Sequence, residues 1–125
     1  MSVADNSRLS LAKALRELAD SSSEVELRSA LSRSYYSIFH AAYSLLGKVD
    51  HDDVAEKLGK IDPELEVRVK KLQQLRSLAD YDPKFVEREY KGDLEQFQLD
   101  ARSRINEGLT VFNRILSEIE RTSRI

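Results

Sequence analysis

Apolar positions recur along this chain with helical spacing almost from end to end. Between Ser23 and Gly47, the residues Leu27, Leu31, Ser34, Ile38, Ala41 and Leu45 follow one another at intervals of four and three. A second stripe of Tyr36, Phe39, Tyr43 and Leu46 lies beside the first. Ser23 with Glu26 three residues later forms a capping box, so a helix is expected to start there and to run without a breaker to Gly47. Two stripes imply burial on two sides. Such a helix is a central member of a bundle, or it packs inside its own subunit and against a second copy.

The remaining pattern is helical as well. Asn6 or Ser7 can cap an earlier helix whose apolar stripe is Leu11, Leu15, Leu18 and Ala19, with Lys13, Arg16 and Glu17 facing away, and which ends at Ser21, Ser22 and Ser23. After the turn at Lys48-Val49-Asp50, a short amphipathic piece from His51 to about Lys60 holds Val54, Ala55 and Leu58 on one side. Asp62-Pro63 reads as N-cap and N1 proline of a helix to about Asp80, with Leu65, Val69, Leu72, Leu75 and Ala79 as its core stripe.

Pro83 to Gly92 reads either as a loop with one helical turn or as the start of the last helix. From Asp93 the last helix is expected to run to about Thr122 on Leu94, Phe97, Ala101, Ile105, Gly108, Phe112, Ile115 and Ile119. A glycine on that buried stripe gives up about 1 kcal/mol of helix propensity against alanine, which points to close approach of another helix at Gly108. No segment alternates as a strand would. The pattern predicts an all-α fold, an antiparallel up-and-down helical bundle of four main helices plus a short one, in a single domain spanning residues 1–125.

Composition agrees with this picture and narrows the chemistry. Apolar residues make up 41% of the 125 positions and charged residues 34%, with four glycines and two prolines, which is the helix-rich corner of globular composition. The absence of cysteine excludes disulfides, thiolate metal sites and cysteine nucleophiles, and fits a reducing compartment. The first residues lack the basic flank and apolar stretch of a signal peptide and no apolar run approaches a membrane span, so a cytoplasmic location is expected. A net charge of −2 exerts no long-range pull on nucleic acid, although Arg68, Lys70 and Lys71, and Arg121 and Arg124, form local basic clusters.

The stretch richest in chemistry is Arg33-Ser-Tyr-Tyr-Ser-Ile-Phe-His40. Seven residues at roughly 100° each bring Arg33 and His40 to nearly the same helix face, two turns apart. Arginine binds a phosphodiester with its planar fork and histidine moves protons near neutral pH, a combination that needs no metal or other cofactor. The structural alternative has Arg33 reaching the helix edge to pair with a carboxylate and His40 as a satisfied core histidine. Glu24 and Glu26 lie too far back to make an i,i+4 pair with Arg33.

Arg76 and Asp80 read as an i,i+4 ion pair with Tyr81 packing at the helix end, or as a second cation reaching the face of Arg33 and His40 from a neighbouring helix. Asp50-His51-Asp52-Asp53 reads as a helix start with acidic residues at its N-terminus, since consecutive residues do not converge as metal ligands. Tyr35, Tyr36 and Tyr43 read as core and interface aromatics. There is no glycine-rich phosphate loop, nucleophile elbow or zinc signature.

The segment Arg28-Ser-Ala-Leu-Ser-Arg33-Ser-Tyr-Tyr-Ser-Ile-Phe-His40-Ala-Ala-Tyr-Ser-Leu-Leu46, followed by Leu75-Arg76-Ser-Leu-Ala-Asp80-Tyr81, resembles the small prokaryotic branch of HEPN-domain proteins. The two motifs stand in the family's order and the likeness covers most of the chain. The resemblance implies a bundle of about five helices that dimerises with a second copy and is often encoded beside a minimal nucleotidyltransferase, a further partner. Members with an active Arg-x4-6-His motif are metal-independent ribonucleases acting as toxin or defence effectors, and Arg33 and His40 fit that spacing. By that likeness Arg33 would stabilise the phosphorane charge and His40 would act as general acid or base, with Tyr36, Arg76 and Tyr81 around them as substrate-binding residues for RNA or a nucleotide. Ser34 follows the arginine where active members carry Asn, Asp or His. The other function the resemblance allows is a non-catalytic nucleotide-binding or adaptor module that partners the nucleotidyltransferase.

Overall fold

The computed structural model describes residues 9, 12–13 and 23–123. The expected first helix, with its caps Asn6 and Ser7 and its stripe Leu11, Leu15, Leu18 and Ala19, lies outside that description, as does Arg124. The described elements are α1 (Glu24–Leu46), α2 (Val54–Gly59), α3 (Pro63–Tyr81), α4 (Phe85–Tyr90) and α5 (Leu94–Ser123), with no strand among the described residues.

Helix starts fall where short polar side chains can satisfy orphan N–H groups. Ser23 Oγ accepts from the Glu26 N–H at 3.1 Å, Asp62 Oδ1 from Glu64 N–H at 3.1 Å just ahead of Pro63, and Asp93 Oδ1 from Gln96 N–H at 3.1 Å. Asp53, ahead of α2, makes no such bond. The segment Pro83 to Gly92 takes the first of its two readings in extended form: a short helix of its own, closed by Lys91 in the left-handed region at φ 53°. Positive φ at Lys91 and at Gly92 turns the chain sharply before α5 begins, at an energetic cost for the non-glycine residue.

The three long helices pack against one another, with α2 lying on α3 and α1 and α4 on α5. Their directions follow from side-chain partners. Arg28, near the start of α1, donates to the carbonyls of Ala79 at 2.8 Å and Asp82 at 2.9 Å, near the end of α3, so α1 and α3 run antiparallel. Phe85 meets Phe97 with ring centres 5.1 Å apart, which returns the chain at the start of α5 to the same end of the bundle as Arg28, and α5 runs back along α3. One core joins all five elements, with Leu27, Leu31, Tyr35, Leu58, Leu72, Phe85, Phe97, Ile105 and Phe112 withdrawn from solvent. Each such large side chain contributes about 1.5–3 kcal/mol of apolar burial.

Gly108 is buried where the three long helices meet. A Cβ added there would stand 2.9 Å from Ile38 Cδ1 on α1 and 3.2 Å from Leu72 Cδ2 on α3. The close approach expected from its position is thus made by side chains of two neighbouring helices. Burial on α1 is less even than its two apolar stripes suggest: Ala41 and Ala42 are buried, Tyr36 and Phe39 are half-buried, and Tyr43 is 45% exposed. The turn leading into α2 covers only part of the second stripe, and that leaves a partly open aromatic face.

Candidate functional site

The open face is built from α1, the turn at 47–53 and the C-terminal half of α3. Arg33, Tyr36 and His40 follow each other at i, i+3 and i+7 on α1. Arg33 is half-buried and His40 is exposed. The His40 ring lies 6.4 Å from Tyr36 and 5.9 Å from Phe39, and it makes no hydrogen bond to a described residue. The reading of His40 as a satisfied core histidine is therefore corrected: residue 40 points past the edge of the core, and only its neighbours Ala41 and Ala42 are inside.

Arg76 is the reverse case. It is only 6% exposed, and its guanidinium carbon stands 4.5 Å from the centre of the Tyr35 ring, 5.2 Å from Tyr36 and 5.9 Å from Tyr81. Asp80 Oδ2 accepts from Arg76 Nη1 at 3.3 Å and from Ser32 Oγ at 3.2 Å, so the ion pair expected from the spacing exists and also ties α3 to α1. Burial alone would lower the Arg76 pKa, but the tyrosines and Asp80 outweigh it and raise it further. Arg76 Nε is buried with no hydrogen-bond partner among the described residues, as is Ser34 Oγ. The π-faces of Tyr35 and Tyr36 supply the negative potential that this side of the guanidinium lacks in hydrogen bonds.

Tyr36, Arg76 and Tyr81 thus come together beside Arg33 and His40, although in different ways. Arg76 lies beneath the face, Tyr36 forms part of its floor, and Tyr81 is 73% exposed instead of packing at the helix end. A polar cleft of about 320 Å³, lined by Lys70, Gln73, Gln74, Arg76 and Ser77, opens on the adjacent side of α3.

His51 is the residue that sequence reasoning misplaced. It does not start a helix, because α2 begins at Val54; it belongs to the turn before it. Its ring stacks on Phe39 with centres 3.9 Å apart and planes at 20°, and meets Tyr36 edge-on at 5.5 Å. Its Nδ1 lies 2.8 Å from the Tyr35 hydroxyl, and its backbone carbonyl accepts from Gln73 Nε2 at 3.1 Å. Burial and then the charge of Arg76 lower the His51 pKa, against an opposing pull from Asp52. The only signal in the sequence was a lone imidazole in an otherwise acidic turn, close behind a helix that presents Phe39 and Tyr36.

Among the described residues no three acidic or histidine side chains gather as a metal-ligating group, and no helix is long and apolar enough to cross a membrane. The arrangement places Arg33, an exposed imidazole and aromatic surface on one helix face. Comparison of the chain with protein-family models, with curated proteins and with solved structures finds no match.

Proposed function

We propose that the chain is a HEPN-type protein of RNA or nucleotide metabolism whose open face binds a phosphodiester and cleaves RNA without a metal ion, as a toxin or defence effector. The observation that carries this reading is His40: an exposed imidazole with no hydrogen bond to a described residue, on the same helix face as Arg33, above a floor of Tyr36 and Phe39. Seven residues separate Arg33 and His40 by about 10 Å along the helix axis. A phosphodiester over Tyr36 would lie between the two residues.

In this reading the 2′-hydroxyl of RNA loses its proton as its oxygen attacks phosphorus, and the 5′-oxygen leaves with a proton gained. His40 moves one of those protons, and Arg33 holds the charge that builds on the non-bridging oxygens. The fold-family likeness adds a second copy of the chain, which would place two such faces in one cleft. The test is cleavage of RNA in chelator by the purified protein beside Arg33→Ala and His40→Ala variants whose helical circular dichroism is intact. Loss of cleavage in both supports the reading, and wild-type protein that leaves varied RNAs whole overturns it.

A second reading, an adaptor or nucleotide-binding module that partners a minimal nucleotidyltransferase, is favoured by the exposed rings of Tyr43 and Tyr81 at 45% and 73%. Aromatic residues left open beside a charged face are a common feature of protein interfaces. Under this reading the same face binds but does not cleave.

A further inference from the structure

The Tyr35 side chain is fully buried, and its hydroxyl lies 2.8 Å from Nδ1 of His51, with the guanidinium of Arg76 beside it as a donor. A buried phenol keeps its proton, and burial here pushes the Tyr35 pKa up even against the opposing charge of Arg76. That O–H needs an acceptor, and the imidazole Nδ1 is the one within reach. His51 Nδ1 therefore accepts from Tyr35, which places the ring proton of the neutral imidazole on Nε2. Nε2 makes no hydrogen bond to a described residue, and His51 is only part-buried.

The ring has little freedom to leave this orientation. Phe39 stacks on one face at 3.9 Å, Tyr36 stands edge-on at 5.5 Å, and Gln73 holds the backbone carbonyl. His40 shares the same aromatic floor: its centroid is 5.9 Å from that of Phe39, against 3.9 Å for His51, which sets an upper limit of about 10 Å between the two imidazoles. That span suits two groups holding one phosphate.

We propose that His51 presents a fixed, uncharged Nε2–H that donates a hydrogen bond to a non-bridging oxygen of the bound phosphodiester, a phosphate-binding role for a side chain outside the Arg33 and His40 motif. The inference rests on the phosphodiester reading of this face, and it deepens it. The groups that act on His51 are Tyr35, Tyr36 and His40 from α1, Gln73 and Arg76 from α3, and Asp50 and Asp52 from its own turn. Protonating the ring would put a hydrogen on Nδ1, displace the Tyr35 O–H and bring a second cation towards Arg76. A neutral donor is what this environment favours, and it binds an anionic oxygen without exchanging a proton with it.

The experiment is nitrogen-15 NMR of the imidazoles in the full chain, titrated with a deoxy dinucleotide that carries one phosphodiester and no 2′-hydroxyl. The expected result is a His51 resonance pair of the Nε2–H form that shifts on addition of the dinucleotide, together with about tenfold weaker dinucleotide binding by His51→Phe, which keeps a ring against Phe39. A His51 in the Nδ1–H form, or one that stays unmoved while the dinucleotide shifts His40, overturns the proposal. Dinucleotide binding that shifts His51 in a protein that leaves RNA whole would sink the ribonuclease reading and keep this site. RNA cleavage with unchanged KM in His51→Phe would do the opposite.

Discussion

The guanidinium of Arg76 lies over the ring of Tyr35, its carbon 4.5 Å from the ring centre, in a core that leaves the arginine 6% exposed. A buried cation of this kind persists because Asp80 balances it at 3.3 Å and two tyrosine faces line the rest. Removing a partner from a buried pair leaves an uncompensated charge, whereas removing both ions removes the desolvation problem too. Asp80 keeps about a quarter of its side chain in solvent, which moderates the effect.

Asp80→Ala is therefore expected to destabilise the protein by about 2 kcal/mol, while the double variant Arg76→Met with Asp80→Ala recovers at least half of that. Urea unfolding of the two single variants and the double variant closes the cycle. If the effects simply add, Asp80 does not neutralise Arg76 in the folded state.

Arg28 supports a second prediction. It donates to the carbonyls of Ala79, Asp82 and Pro83 at 2.8, 2.9 and 3.1 Å, and its guanidinium lies 4.6 Å from the centre of the Phe85 ring. One planar fork satisfies the end of α3 and the turn that follows, where the chain would otherwise depend on water. Arg28→Ala is expected to cost about 2–3 kcal/mol in denaturant unfolding. Arg28→Lys should regain less than half, since a single ammonium cannot span three carbonyls. Equal stability of the lysine variant and wild type would show that charge alone is sufficient here.

The contrast between Arg28 and the helix ends explains what was legible in the sequence. Ser23, Asp62-Pro63 and Asp93 act through neighbours two or three residues away, so their roles can be read locally, and the helices begin where those residues stand. The spacing of Arg76 and Asp80 likewise gave their ion pair. Arg28 and His51 act across the bundle: Arg28 on residues 51 to 55 positions later, His51 on a tyrosine 16 positions earlier. No periodicity reports such a meeting. For the same reason the pattern on α1 does not say how much of its second stripe one chain covers by itself, because the cover over Tyr36, Phe39 and Tyr43 depends on the path of the turn at 47–53.

Gly108 carries two opposing effects that can be weighed. Alanine would gain about 1 kcal/mol of helix propensity, but its Cβ would stand 2.9 Å from Ile38 Cδ1 and 3.2 Å from Leu72 Cδ2. Overpacking in a dense core costs about 1–3 kcal/mol, and both neighbours are side-chain ends able to give a little. Gly108→Ala should therefore be destabilised by no more than about 1 kcal/mol, and Gly108→Val by more than about 2 kcal/mol, since valine adds two methyl groups with little propensity gain. Thermal unfolding followed by circular dichroism separates the two. A stabilised alanine variant would mean that the space between α1, α3 and α5 is looser than these distances.

Acidification should destabilise the protein through His51. Burial and then Arg76 lower the His51 pKa in the folded protein, so on acidification the unfolded chain takes up a proton near the ordinary histidine value of about 6.5 before the folded chain does. Where the unfolded state binds more protons, stability rises with pH. Full stability is therefore present above that value and is lost as the pH falls below it, levelling off once the folded ring is protonated as well. Urea unfolding between pH 7.5 and 5.5 should show this loss in wild type, and His51→Gln should flatten it. Tyr35→Phe should flatten it in part, because Nδ1 no longer accepts the phenol proton and the folded ring can protonate more readily. The lowered pKa values of Asp82, held by its hydrogen bond with Arg88, and of Glu118, held by Arg114 and Arg121, act in the same direction, but only near the carboxylate range of about 4. A slope that persists unchanged in His51→Gln between pH 7 and 5.5 would assign it to other groups and remove the evidence that the ring is held neutral.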